Sequence, residues 1–294
     1  MIGRRSVLLL RVVLPLTAGT VLAQVAYPLV HGTTRDAVTV AAVVAFAAAS
    51  LTHAAVSRGP RAAVAVLAVF GSGGLLVEVV GSATGVPFGR YDYTGSLGPA
   101  VLGVPLVVPF AWVMMGWPAY LVGHRITAGV RITAGVRVAA GVRVAAGVRV
   151  AAAAWALAAW GLFLDPQMVA TGHRRWPDPT PALPGVATVP LTGYAGWLAA
   201  ATVMMVALRA TTGRAAAETI PGDGLAYALY LWTYFSSVLA QAAFLGLPAA
   251  ALWGGLGMGV VAVALLLALR RQAPAEPAEA TSPGGLHDQC PGPA

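Results

Sequence analysis

The sequence predicts an all-α, polytopic transmembrane helix bundle, and three observations predict it. The chain is 58% hydrophobic and 10% charged over 294 residues, a balance foreign to water-soluble domains of this size. Apolar runs of about 20 residues recur along the whole length, and each is long enough to cross a hydrocarbon core of roughly 30 Å. The arginines gather in alternate connections, the asymmetry expected when basic loops stay on the cytoplasmic side.

We assign about eight spans, with seven as the alternative: residues 7–30, 37–57, 62–80, 99–122, 149–168, 186–208, 225–246 and 249–269. The first follows Arg4 and Arg5 and resembles a secretory signal. Because further spans follow, it reads as an uncleaved first helix. With the N-terminus inside, 14 of the 18 arginines fall on the inner side and four, Arg35, Arg90, Arg174 and Arg175, on the outer side. Both termini are therefore expected in the cytoplasm, and the protein in the cell membrane.

Residues 1–270 form the membrane domain. Within it, an Arg-bearing cytoplasmic loop is expected over 123–150, built on the hexads RITAGV and RVAAGV. Six residues advance a helix by about 600°, so successive arginines of the repeat would land on different faces and make no amphipathic stripe. On a strand they would share one face. An anionic-lipid-binding loop and a tolerated repeat expansion are the two readings of this segment. Residues 271–294, rich in Pro, Ala, Gly and Glu, read as a disordered tail.

Composition also excludes function classes. All basic residues are Arg, and in a membrane protein the +8 net charge reports topology, so nucleic acid is not expected as a partner. Cys290 is the only cysteine, and no intramolecular disulfide can form. The five histidines make no HxxxH or HxxHH box, which argues against a di-iron hydroxylase or desaturase. With no phosphate-binding Gly-Lys motif and no dinucleotide fingerprint, neither metal nor organic cofactor is expected.

The polar groups left at membrane depth are the candidate site, because an ionisable residue there is costly. Glu78 lies near the outer end of the third span and Asp165 at the outer end of the fifth, in LFLDPQM. The polar loops 81–98 and 169–185 open on that same side. Glu78, Gly81 and Gly85 have the spacing ExxGxxxG, which also suits close helix packing. Asp165 before Pro166 suits a helix N-cap as well as chemistry. Between them runs PFGRYDYT, with Phe88, Arg90, Tyr91, Asp92 and Tyr93. Here Arg90 can pair with Asp92 or Glu78, and the tyrosines suit either an interfacial belt or a cavity mouth. In the seventh span Tyr227, Tyr230, Tyr234, Ser237 and Gln241 share one helical face, which suits packing or a long apolar ligand with a polar end.

Three stretches carry a resemblance. EVVGSATGVPFGRYDYTGSLGPAVLGVPLVVPFAW, LFLDPQMVATGHRRW and VPLTGYAGW resemble the carotenoid biosynthesis membrane protein family, which includes bisanhydrobacterioruberin hydratase and carotenoid 1,2-hydratases. The likeness covers roughly residues 60–245 outside the hexads. Two departures are Gly193 before Tyr194, where Asn is expected, and His173-Arg174-Arg175, where an aromatic-rich run is expected.

The resemblance implies water addition to the terminal C=C of an acyclic carotenoid, giving a tertiary alcohol without a cofactor. Such a reaction needs an acid, a cation-tolerant pocket and a placed water. Glu78 suits the acid, and Asp165 or Asp92 the group that orients the water. Tyr91, Tyr93 and Trp112 suit stabilisation of the cation by their π-faces. Phe88, Tyr234 and Gln241 complete the expected binding residues. The expected partners are an apolar polyene and the bilayer, with other enzymes of the pathway as candidates. The alternative is a non-catalytic carotenoid-binding or scaffold subunit, which would keep the cavity and tolerate loss of the carboxylates.

Overall fold

The computed structural model describes residues 7–128, 138–213 and 219–271. The chain is an all-α bundle of α1 (Leu14–Ala26), α2 (Gly32–Arg58), α3 (Pro60–Thr84), α4 (Val107–Ile126), α5 (Val138–Ala158), α6 (Gly161–Ala170), α7 (Leu191–Thr212), α8 (Gly224–Leu239) and α9 (Pro248–Arg270). Helices α5 and α6 follow one another as a single rod, giving eight rods among the described residues. Six helical stretches among the described residues are long and apolar enough to cross a membrane: Arg11–Leu29, Gly32–Arg58, Pro60–Thr84, Val144–Ala170, Leu191–Thr212 and Pro248–Arg270.

Glycine and proline punctuate the rods where backbone chemistry demands. Pro60 and Pro248 open α3 and α9, where a missing N–H costs nothing. Gly85 closes α3 at φ +80°, a left-handed conformation that a Cβ would strain.

Helix α4 is the axis of the bundle. Every residue from Trp112 to Arg125 is buried, including Pro118. The outer helices instead turn apolar side chains outward: Leu22, Val203 and Val260 are each more than two-thirds exposed. That is the pattern of a protein whose exterior solvent is lipid. Close approach at the axis rests on small residues. A Cβ on Gly116 would sit 2.6 Å from the Phe70 ring, and one on Gly123 would sit 2.5 Å from the Ala153 backbone.

At one end of the bundle two long connections fold together. Strand β1 (Asp92–Tyr93) pairs antiparallel with β4 (Arg174–Arg175), joining the α3–α4 and α6–α7 loops. Strands β2 (Ala100–Val101) and β3 (Val104–Pro105) form a hairpin, and β5 (Ala182–Leu183) pairs with β6 (Val186–Pro190). At the other end, Arg58 forks onto both oxygens of Asp223. Trp117 Nε1 donates to His53 Nδ1 (3.0 Å), so the other His53 nitrogen carries the proton donated to the Gly222 carbonyl (3.0 Å).

Three expectations about boundaries are corrected. Residues 99–106 are hairpin and turn rather than the start of a span, and 186–190 are strand, because both belong to the loop layer over the site. The hexad segment is not a loop through residue 150: from Val138 its Ala- and Val-rich repeats are helical and run on into α5. Residues 129–137 of the repeat and the expected tail beyond 271 lie outside the described residues.

Candidate functional site

The site is built where the loop layer meets the ends of α3, α4, α6 and α7. Glu78, on the last turns of α3, is 1% exposed, and Asp165, in α6, is fully buried. Arg174 lies between them: one terminal nitrogen donates to Glu78 Oε2 (2.8 Å), the other to Asp165 Oδ1 (3.0 Å). The short β1–β4 ladder explains its placement. Pairing sets Tyr93 opposite Arg174 and Asp92 opposite Arg175, and alternation turns the first pair inward and the second out.

Donors surround the two carboxylates. Glu78 Oε2 accepts hydrogen bonds from the hydroxyls of Tyr91 and Tyr93 (2.7 Å each) as well as from Arg174, while Oε1 accepts one, from Trp112 Nε1 (3.1 Å). Asp165 Oδ2 accepts from Trp197 Nε1 (2.8 Å). Arg174 also donates to the Tyr93 hydroxyl, and its guanidinium lies 4.5 Å from the Tyr91 ring centre and 4.7 Å from that of Tyr93. Trp112 and Trp197 stack at 4.3 Å, so each carboxylate holds one member of a stacked indole pair.

The electrostatics follow from burial. Desolvation, reinforced by the Glu78 charge, pushes the Tyr91 hydroxyl well above its usual pKa, so it remains a donor. Desolvation also raises Tyr93, against the opposing pull of Arg174. For Arg174, burial works against the charge, but Glu78, Tyr93 and Asp165 outweigh it and hold the guanidinium above its ordinary range. One guanidinium thus serves two buried carboxyl groups.

Glycines let the site aromatics approach. A Cβ on Gly74 would lie 2.7 Å from Trp112, on Gly81 2.8 Å from the Tyr91 hydroxyl, and on Gly161 2.9 Å from Trp197. The ExxGxxxG spacing thus seats Tyr91 against α3 directly beneath Glu78.

The cluster forms one wall of a small, partly open cavity. Glu78, Tyr93 and Arg174 are exposed to it, with Thr39 as a further polar group. The remainder is apolar or aromatic, including Val43, Leu164, Trp112, Trp160 and Trp197. Asp165 does not line the cavity; it stands behind Arg174 and Trp197. The apolar lining suits the end of a hydrocarbon chain.

Of the residues singled out from sequence, the structure brings Glu78, Asp165, Tyr91, Tyr93 and Trp112 together. Phe88 is buried beside them, edge-on to Tyr91 and Trp197, but does not line the cavity. Asp92 is exposed on the outer side of β1, away from the cluster. Tyr234 packs its hydroxyl against Gly259 of α9, and Gln241 donates to the Phe163 carbonyl (2.7 Å). Both are parts of the helix packing and stand outside this cavity wall. Two central residues, Arg174 and Trp197, escaped the sequence reading. The signal for Arg174 was its position: an arginine on the arginine-poor side, in the loop following Asp165.

No group of three or more His, Cys, Asp and Glu side chains is placed to hold a metal among the described residues.

Together these features define a polytopic helical membrane protein with a buried carboxylate–arginine–carboxylate bridge facing an apolar cavity. Residues 37–261 match the family model described as carotenoid biosynthesis protein, and the chain belongs to that family. Its role lies in carotenoid biosynthesis. No curated protein and no solved structure matches the chain.

Proposed function

We propose that this protein is a carotenoid hydratase, adding water to the terminal C=C of an acyclic carotenoid end group to give a tertiary alcohol. The observation that carries the reading is the Glu78–Arg174–Asp165 bridge in the wall of an otherwise apolar cavity. Two carboxylates and one guanidinium sum to one negative charge, and burial favours taking up one proton to reach neutrality. That proton belongs to the cluster as a whole.

Glu78 is the member through which the proton reaches the cavity. Its Oε2 is saturated by three donors, whereas Oε1 accepts only Trp112 and has a lone pair to spare. In the reactive form the proton sits on Oε1 and passes to the less substituted alkene carbon. The tertiary cation left behind faces Trp112, Trp160 and Trp197, whose π-clouds stabilise positive charge. Water adds to the cation, and its surplus proton passes directly to Glu78 Oε1, the oxygen that gave up its own. The acid is thereby regenerated and the net change is one water added. Asp165 is a positioning residue: it neutralises Arg174 and fixes Trp197.

The arginine asymmetry supports a cell-membrane location with both termini in the cytoplasm, which sets the site near the outer interface. The test is expression in a bacterium that makes acyclic carotenoids such as lycopene, with an elongated-carotenoid strain as a second host. The expected result is a more polar pigment heavier by one water, absent with Glu78→Gln. Hydrated pigment at wild-type levels from Glu78→Gln, in protein present at equal amounts, would sink the proposal.

A further inference from the structure

A second cavity, partly open at the surface of the bundle and roomy enough for water, adjoins the first and shares five wall residues with it: Thr39, Val43, Met114, Trp160 and Leu164. Its character differs. Beyond the shared wall six of its nine lining residues are polar: Gln24, Tyr27, Gln167, Thr233, Ser236 and Ser237, contributed by α1 and its continuation, α6 and α8. Gln24 Oε1 is buried without a hydrogen-bond partner. A hydrocarbon ligand has no use for such groups, and an orphan acceptor at this depth calls for a donor.

Hydration consumes one water per turnover, and the reacting end of the polyene lies in a cavity walled by indoles and aliphatic side chains. Apolar cavities stay dry, whereas an interior water needs two to four polar partners and room for its volume. The second cavity meets both requirements. We propose that it is the water store of the site, filled with ordered water and delivering it past Thr39, the one hydroxyl in the shared wall. This inference rests on the hydratase reading for the use of the water, but not for its presence.

The test uses the full chain in lipid nanodiscs and two readouts. In the first, X-ray pulses split water bound inside the protein, and the radicals oxidise neighbouring side chains. Phe163 lines the second cavity and Trp160 lines both, while Trp117 is fully buried and lines neither. Phe163 and Trp160 are expected to be labelled well above Trp117, and Ser236→Leu is expected to bring them down to its level. Gln167→Leu and Ser237→Val provide the same comparison if the larger side chain prevents folding. Labelling of Phe163 and Trp160 no faster than that of Trp117 in the wild type overturns the proposal.

In the second readout, the variant that loses the label is expected to hydrate its carotenoid about tenfold more slowly. Polyene binding, followed by the shift in its visible absorption, stays unchanged. Wild-type turnover in that variant overturns the supply role. A wild-type protein that labels Phe163 yet hydrates no carotenoid overturns the hydratase reading instead, and leaves a water-filled cavity established.

Discussion

Glu78 and Arg174 are 96 residues apart in the chain and meet at 2.8 Å, with both side chains almost wholly buried. The contact ties the end of one membrane helix to the loop before another, and Asp165 takes the other branch of the same guanidinium. Breaking such a pair from one side leaves uncompensated charge in a dry interior. Arg174→Met should therefore cost about 3–5 kcal/mol of stability. Adding Glu78→Gln and Asp165→Asn should restore much of the loss, because the buried charges then disappear together. Thermal unfolding of the detergent-solubilised variants tests this, and a triple variant no more stable than Arg174→Met would contradict it.

Tyr91 and Tyr93 bond the same carboxylate oxygen but have different surroundings. Tyr91 is 1% exposed and does not line the cavity, whereas Tyr93 does. Removing a hydrogen bond to a charged group costs about 1.5–3 kcal/mol. Tyr91→Phe should show this mainly as lost stability with hydration preserved. Tyr93→Phe should slow hydration by more than tenfold, since its hydroxyl lines the cavity beside Glu78 and orients the adding water, and should leave polyene binding intact. Pigment analysis and melting curves on the two variants separate the roles, and equal effects on turnover would argue against them.

Gly81 offers a test that touches no polar atom. A methyl group there would meet the Tyr91 hydroxyl at 2.8 Å and Phe88 Cδ2 at 2.9 Å. Neither neighbour has room to retreat: Phe88 is wedged against Gly196 and Tyr91 against Trp176. Gly81→Ala should cost about 1–3 kcal/mol by overpacking. It should also push Tyr91 off Glu78, so that a following Tyr91→Phe adds little. Full additivity of the two changes would show that the glycine and the tyrosine act independently.

The helices and the carboxylates were legible in the sequence, and the loop layer was not. Spans are announced by unbroken apolar runs, and Glu78 and Asp165 stand out because little else at that depth is ionisable. Strands β1 and β4 are two residues each and have no periodicity to read, so the inward turn of Arg174 and outward turn of Asp92 depend on a pairing between distant loops. The same loops explain the misplaced starts at residues 99 and 186, where apolar residues serve a hairpin and a strand rather than a helix. Trp197 was hidden for another reason. An indole in an apolar helix reads as packing, and only the stack on Trp112 and the bond to Asp165 distinguish it.

His173 gives the loop layer its pH dependence. Its ring is 2% exposed, with Nδ1 2.7 Å from Ser96 Oγ and Nε2 3.7 Å from an Asp36 carboxylate oxygen. Burial pushes the imidazole below its usual value of 6.5, outweighing the pull of Asp36, while Arg35 adds to the depression. The folded protein thus holds His173 neutral where the unfolded chain would already bind a proton. Its contribution to stability is complete above about pH 6.5 and is lost as the pH falls through the depressed folded value. Melting temperatures measured between about pH 5 and 8 should fall on the acid side, and part of that fall should vanish in His173→Gln. The carboxylates titrate in both proteins, so the difference between the two curves isolates the histidine. Parallel curves would mean that His173 is protonated alike in the folded and unfolded chain.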